Sequence, residues 1–147
     1  MTSDNLKNMK MTRDLVGEVF TRANSDMLKS RREGLLALCT SLEEQENLED
    51  RDVYDVCLQM AIDGTDHDII REIGENLIHA DHQHNKDADI LIQRLKLEAV
   101  LSIQRGDNPR ILFLRLWSMT PKHCLPEGAL KGFESYMRHL HGGDLPE

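Results

Sequence analysis

The stretch MAIDGTDHDIIREIGENLI, residues 60–78, decides the fold class. Asp63-Gly64 halts one helix, because glycine enters the left-handed conformation that closes helices without a Cβ clash. Thr65, followed three residues later by Asp68, approximates a capping box and opens the next helix. Ile69, Ile70, Ile73, Leu77 and Ile78 then recur at three- and four-residue spacing, the period of an α-helix. One helix stops and another starts within a few residues, with no alternating β-branched segment between them.

The same reading extends in both directions. Upstream, Val53, Val56, Cys57, Met60 and Ala61 form the face of a preceding helix. From about Thr12, Leu15, Val19, Ala23 and Met27 recur every four residues, flanked by Val16 and Phe20, and predict a further helix. Another helical stretch is expected from about Asp26 to Glu46, with Leu28, Leu35, Leu36, Cys39 and Leu42 as its inner stripe. Gly34, costly inside a helix by about 1 kcal/mol, marks close packing or a break there. Downstream, HADHQHNKDAD at 79–89 reads as a polar turn. Ile90, Leu91, Leu95, Leu97, Val100, Leu101 and Ile103 resume the helical pattern, and Gly106 closes it. Asp107-Asn108-Pro109 opens a helix whose Ile111, Leu112, Leu114, Leu116, Trp117 and Met119 predict extensive burial. Pro126 begins a last amphipathic helix through Leu130, Phe133, Met137 and Leu140. The expected fold is all-α: a compact bundle of about five to six helices. It divides into a flexible N-terminus at 1–11, a helical domain at 12–121, and a C-terminal helix and tail at 122–147.

Composition narrows the function classes. The chain has 147 residues, 39% hydrophobic and 30% charged, which suits one folded domain. Its longest apolar runs, Leu35–Leu38 and Ile111–Leu114, are far short of the roughly 20 residues a membrane helix needs. The N-terminus lacks a signal-peptide pattern, so a cytoplasmic protein that does not span a membrane is expected. A net charge of -8 disfavours nucleic-acid binding. Cys39, Cys57 and Cys124, widely spaced and without CxxC, read as small buried thiols. Residues 43–89 carry fifteen acidic and three basic side chains, forming an acidic block between two mildly basic ends. Such a block is a solvated face or a docking face for a basic partner.

Three constellations bear on chemistry. His79, His82 and His84, with Asp81 nearby, offer imidazoles for zinc or nickel or for a pH response. Their spacing fits no established metal motif, and the polarity of the stretch favours a solvated turn. Carboxylates are plentiful, but no nucleophile elbow, phosphate-binding loop or zinc-protease motif is present. A non-enzymatic protein without a cofactor is therefore expected. Finally, Arg31 and Arg32 precede Glu33 and a small residue on an amphipathic helix, a means of presenting charge to a partner or simply a charged helix surface.

RREGLLAL at 31–38, MAIDGTDHDIIREI at 60–73 and LEAVLSIQRGDNPRIL at 97–112 together resemble the cytoplasmic parts of the flagellar stator A subunit family (MotA/PomA). That family shows an ARREGLLALE-like stretch, then a VDGTDPEVIREILE-like stretch and, after two transmembrane helices, an EGILSIQAGENPR-like stretch. The order is the same here, and the resemblance covers about residues 20–120. The transmembrane helices have no counterpart, so the polar segment 79–89 stands where a transmembrane hairpin would fall. The resemblance therefore implies no ion conduction.

What it does imply is a MotA-like interaction module of the bacterial flagellar motor. Its partners would be a FliG-like rotor switch, the stator complex or a ring component near the basal body at the inner membrane. Arg31 falls at the family's rotor-contacting arginine, with Arg32 and Glu33 beside it. The family's acidic position is occupied by Cys39, leaving Glu43 and Glu44, one turn later, to supply carboxylates. The family proline of the second stretch is His67. A homo-oligomer stays open, since stator A subunits form rings largely through transmembrane surfaces missing here. The alternative expectation is a metal- or pH-responsive regulator built on His79, His82 and His84.

Overall fold

The computed structural model describes residues 2–42, 52–81 and 87–126, with the isolated positions Gly128 and Lys131. These residues form α1 (Ser3–Glu33), a 3-10 turn (Leu35–Leu38), the one-turn α2 (Cys39–Leu42), α3 (Val53–Ile62), α4 (His67–Asp81), α5 (Asp87–Arg105) and α6 (Pro109–Met119). A second 3-10 turn covers Lys122–Cys124. Among the described residues there is no strand, and the fold is the expected all-α bundle built on five main helices.

The organising element is α5, which packs against α1, α3, α4 and α6. Its sequence explains that position. Ile92, Leu95, Leu97, Ala99, Val100, Leu101, Ser102 and Ile103 are all buried, so the final turns are covered on every side. A helix apolar around its circumference belongs at the centre. Val16, Val19, Ala23 and Met27 of α1 reach this core, as do Tyr54, Cys57, Leu58 and Ala61 of α3 and Ile70 and Ile78 of α4. Leu112 and Leu116 of α6 close it. Phe20 and Phe113 meet edge to face at 5.7 Å, fixing α6 to α1.

Several expectations are corrected. α1 starts at Ser3, capped by the Thr2 hydroxyl accepting from the Asn5 amide, not at Thr12. Its early turns stay exposed. No second helix begins at Asp26; α1 runs unbroken to Glu33, and Gly34 then turns the chain at φ 90°. The tight 3-10 turn that follows rotates Leu36 outward, 71% exposed, while Leu38 and Leu42 go inward. The polar segment 79–89 is not simply a turn. Residues 79–81 complete α4 and 87–89 begin α5, while 82–86 lie outside the described residues. α6 is also less buried than expected, with Ile111, Leu114 and Trp117 facing out. The helix expected after Pro126 lies outside the described residues.

All three cysteines are free thiols. Burial, aided by the Asp52 charge, pushes Cys57 up to about 12, so it stays a neutral packing group.

Candidate functional site

Three helix ends gather at the C-terminal end of α5. Each is turned by a glycine in the left-handed region: Gly34 after α1, Gly64 after α3 and Gly106 after α5. Side chains then tie these ends together. The Asp107 carboxylate accepts from Ser102 Oγ at 2.9 Å and from Arg115 Nε at 2.8 Å. Its carbonyl accepts from Arg31 Nη1 at 3.4 Å. Asn108 caps α6 by accepting from the Ile111 amide at 2.8 Å, and Pro109 occupies the first turn.

On the neighbouring side, Gln104 Nε2 donates to the Thr65 carbonyl at 2.6 Å, and Gln104 Oε1 lies 3.3 Å from His67 Nδ1. Arg105 Nη2 lies 2.8 Å from His67 Nε2. Arginine can only donate, so Nε2 is the acceptor and the neutral imidazole carries its proton on Nδ1, directed at Gln104. Glu98 draws Arg71 to 3.3 Å and Arg105 to 3.5 Å. The stretches 31–38, 60–73 and 97–112, distant in sequence, thus form one continuous end of the bundle.

Arg31, Arg32 and Glu33 are exposed in the last turn of α1, with exposed Leu36 close by in sequence. Arg31 is partly engaged through Asp107. Cys39 is half-buried, and Glu43 and Glu44 lie outside the described residues. His79 is exposed near the end of α4, whereas His82 and His84 lie outside the described residues. Among the described residues no three His, Cys, Asp or Glu side chains gather as a metal site. No helix among them is long and apolar enough to cross a membrane.

The sequence reading missed a polar cluster that bridges α1 and α3. Arg22 of α1 pairs with Asp55 of α3 and lies 3.8 Å from Asp26. The Tyr54 hydroxyl donates to Asp26 at 2.6 Å, and the Arg22 guanidinium lies 3.8 Å above the Tyr54 ring. Asp26 and Asp55 are only 8% and 4% exposed. Burial disfavours the charge on Arg22, but Asp55 outweighs it and keeps the guanidinium firmly protonated. Burial pushes the Asp55 carboxyl up despite Arg22. Lys96 donates to Asp52, the cap of α3, at 2.7 Å and overcomes burial to hold that carboxyl below its usual range. A signal was present: Asp26 falls between Ala23 and Met27 in an otherwise apolar stripe, with Arg22 one turn before it.

Tyr54 yields a direct prediction. Burial, then the charge and hydrogen bond of Asp26, raise its pKa well above the ordinary value. The native state keeps the phenolic proton, while the unfolded chain releases it above about pH 10. This contribution to stability is therefore complete below pH 10 and falls by about 1.4 kcal/mol per pH unit above it. Urea midpoints between about pH 9 and pH 11.5 should decline more steeply for the wild type than for Tyr54→Phe. Parallel declines would remove the assignment.

No family model matches the chain, and no curated protein or solved structure matches it either.

Proposed function

We propose that this chain is a non-enzymatic interaction module of the bacterial flagellar motor, similar to the cytoplasmic part of a stator A subunit. It docks on a rotor-switch, stator or ring component through the charged end of the bundle, at the cytoplasmic side of the basal body. The supporting observation is that the three resembling stretches, carried by different helices, converge on that end. Arg32, Glu33 and Leu36 project there beside the engaged Arg31. Exposed cations around an apolar side chain suit an acidic, partly apolar counterpart, with charge setting rate and specificity more than affinity.

Binding of the full chain to a purified FliG-like rotor-switch protein and to detergent-solubilised stator complexes tests this. Binding to one of them is expected, weakening as salt rises from about 50 to 500 mM. Arg31→Ala/Arg32→Ala is expected to weaken it about tenfold or more. Because Arg31 also holds Asp107, Arg32→Glu serves as the second variant; it should weaken binding without lowering thermal stability. Binding indifferent to salt and to both variants refutes the charge-contact mechanism.

A further inference from the structure

Two outer faces of the bundle carry complementary apolar and charged patterns. On α4, Ile69, Ile73 and Leu77 follow one another at four-residue spacing and are 44%, 37% and 37% exposed. Their surroundings are acidic. Residues 63–80 contain five carboxylate side chains, of which Glu75 is paired with Arg94, against the single cation Arg71, which is committed to Glu98. Asp66, Asp68 and Glu72 are exposed beside the apolar row. On α6, Ile111, Leu114 and Trp117 face outward, 36%, 37% and 39% exposed. Here the sign is reversed. Residues 108–126 contain no carboxylate side chain; Arg115 is committed to Asp107, and half-buried Arg110 and exposed Lys122 supply the positive charge.

Three-residue apolar rows on the outer faces of two helices differ from the scattered apolar side chains found on any surface. Both helices pack on α5, but α4 otherwise packs on α3 and α6 on α1. One chain therefore cannot bring its own α4 face against its own α6 face, whereas two copies can. Pairing α4 with α4 would oppose carboxylates, and pairing α6 with α6 would oppose cations.

We propose that a second copy of this chain is the partner of these faces, seating its basic-flanked α6 face on the acidic-flanked α4 face of the first. The interface is head-to-tail: each copy offers one face of each kind, so assembly continues until it closes into a ring or extends as a filament. This does not depend on the docking end at Arg31, Arg32 and Leu36.

Sedimentation velocity of the full chain up to about 200 µM tests it, a range that captures micromolar association. The expected result is a mean mass that rises with concentration and falls with added salt. Ile73→Asp disables the α4 face and Leu114→Asp the α6 face, so each variant alone should be monomeric. Mixed in equal amounts they should form one dimer and nothing larger, because only one α4 face and one α6 face remain intact. Should either variant misfold by circular dichroism, Glu72→Lys and Lys122→Glu form the milder pair. Each should weaken association about tenfold, and mixing the two should restore contact between reversed charges. A wild type that stays monomeric, as when residues 127–147 of the same chain cover either face, overturns the proposal. So does assembly untouched by the substitutions, or variants that fail to pair on mixing.

Discussion

Arg22→Ala lowers folding stability by about 2–3 kcal/mol, read from urea unfolding. The substitution strips the counter-charge from Asp55, which is 4% exposed, and from Asp26, and removes the cation above the Tyr54 ring. Breaking a buried pair on one side costs about 3–5 kcal/mol, because the remaining charge stays buried alone. The Arg22 side chain is 35% exposed, so water screens part of the interaction and the lower figure applies. Arg22→Lys should fall between wild type and alanine, since it keeps a charge but loses the planar group over the ring.

The deficit of Arg22→Ala also depends on pH with a definite sign. Burial already raises the Asp55 carboxyl, and Arg22 is what pulls it back. Without Arg22 the folded-state value climbs further above the unfolded one. A raised folded pKa contributes stability that is present below the unfolded value and lost as pH rises through the folded value. The gap between variant and wild type should therefore be smaller near pH 4.5 than at pH 7. Asp52, held low by Lys96, is present in both proteins, and its negative charge adds to the upward push on Asp55 in each. A gap independent of pH would show that Asp55 is not the carboxylate left uncompensated.

Gly74→Val should be the most damaging single change in α4, at about 3 kcal/mol, with Gly74→Ala at about 1–2 kcal/mol. In an exposed helix, alanine would improve on glycine by about 1 kcal/mol. Here a Cβ at Gly74 would come 2.5 Å from Leu97 Cδ1 and 3.2 Å from Cys57 Sγ. Leu97 and Cys57 are buried, at 2% and 0% exposure, so neither can swing aside into solvent. At Gly74 α4 lies against side chains of both α3 and α5, and a side chain there forces the helices apart. A chain of this size should lose roughly 6–12 °C in melting temperature for the valine variant. An alanine variant that melts higher than wild type would mean that this contact relaxes freely.

How much of this was legible depends on the range of the interactions. Gly34, Gly64 and Gly106 punctuate helices by local backbone chemistry; the sequence located the last two and at Gly34 left a break and close packing as alternatives. Asn108 with Pro109 predicted the start of α6 for the same reason. Burial was less legible. Leu36 lies among three other apolar residues, yet the 3-10 turn after Gly34 points it at solvent. The stripe on α4 mixed inward Ile70 and Ile78 with outward Ile69, Ile73 and Leu77, because apolar spacing gives a helix period and not the direction of its neighbours. The charged residues of 31–33 were singled out by pattern. The contact of Arg31 with Asp107 depended on the packing of α1 against α5 and α6, which no local signal contains.

The sequence alone determined the class of fold and the helix breaks around Gly64 and Gly106–Pro109, since periodicity, glycine and proline act within a turn or two of chain. Only the tertiary structure decided which stretches meet, where Arg22 finds Asp55, and which apolar rows stay uncovered. Those outcomes depend on how five rigid cylinders divide a limited interior among themselves. Packing of that kind is a property of the whole set of helices and is written in none of them singly.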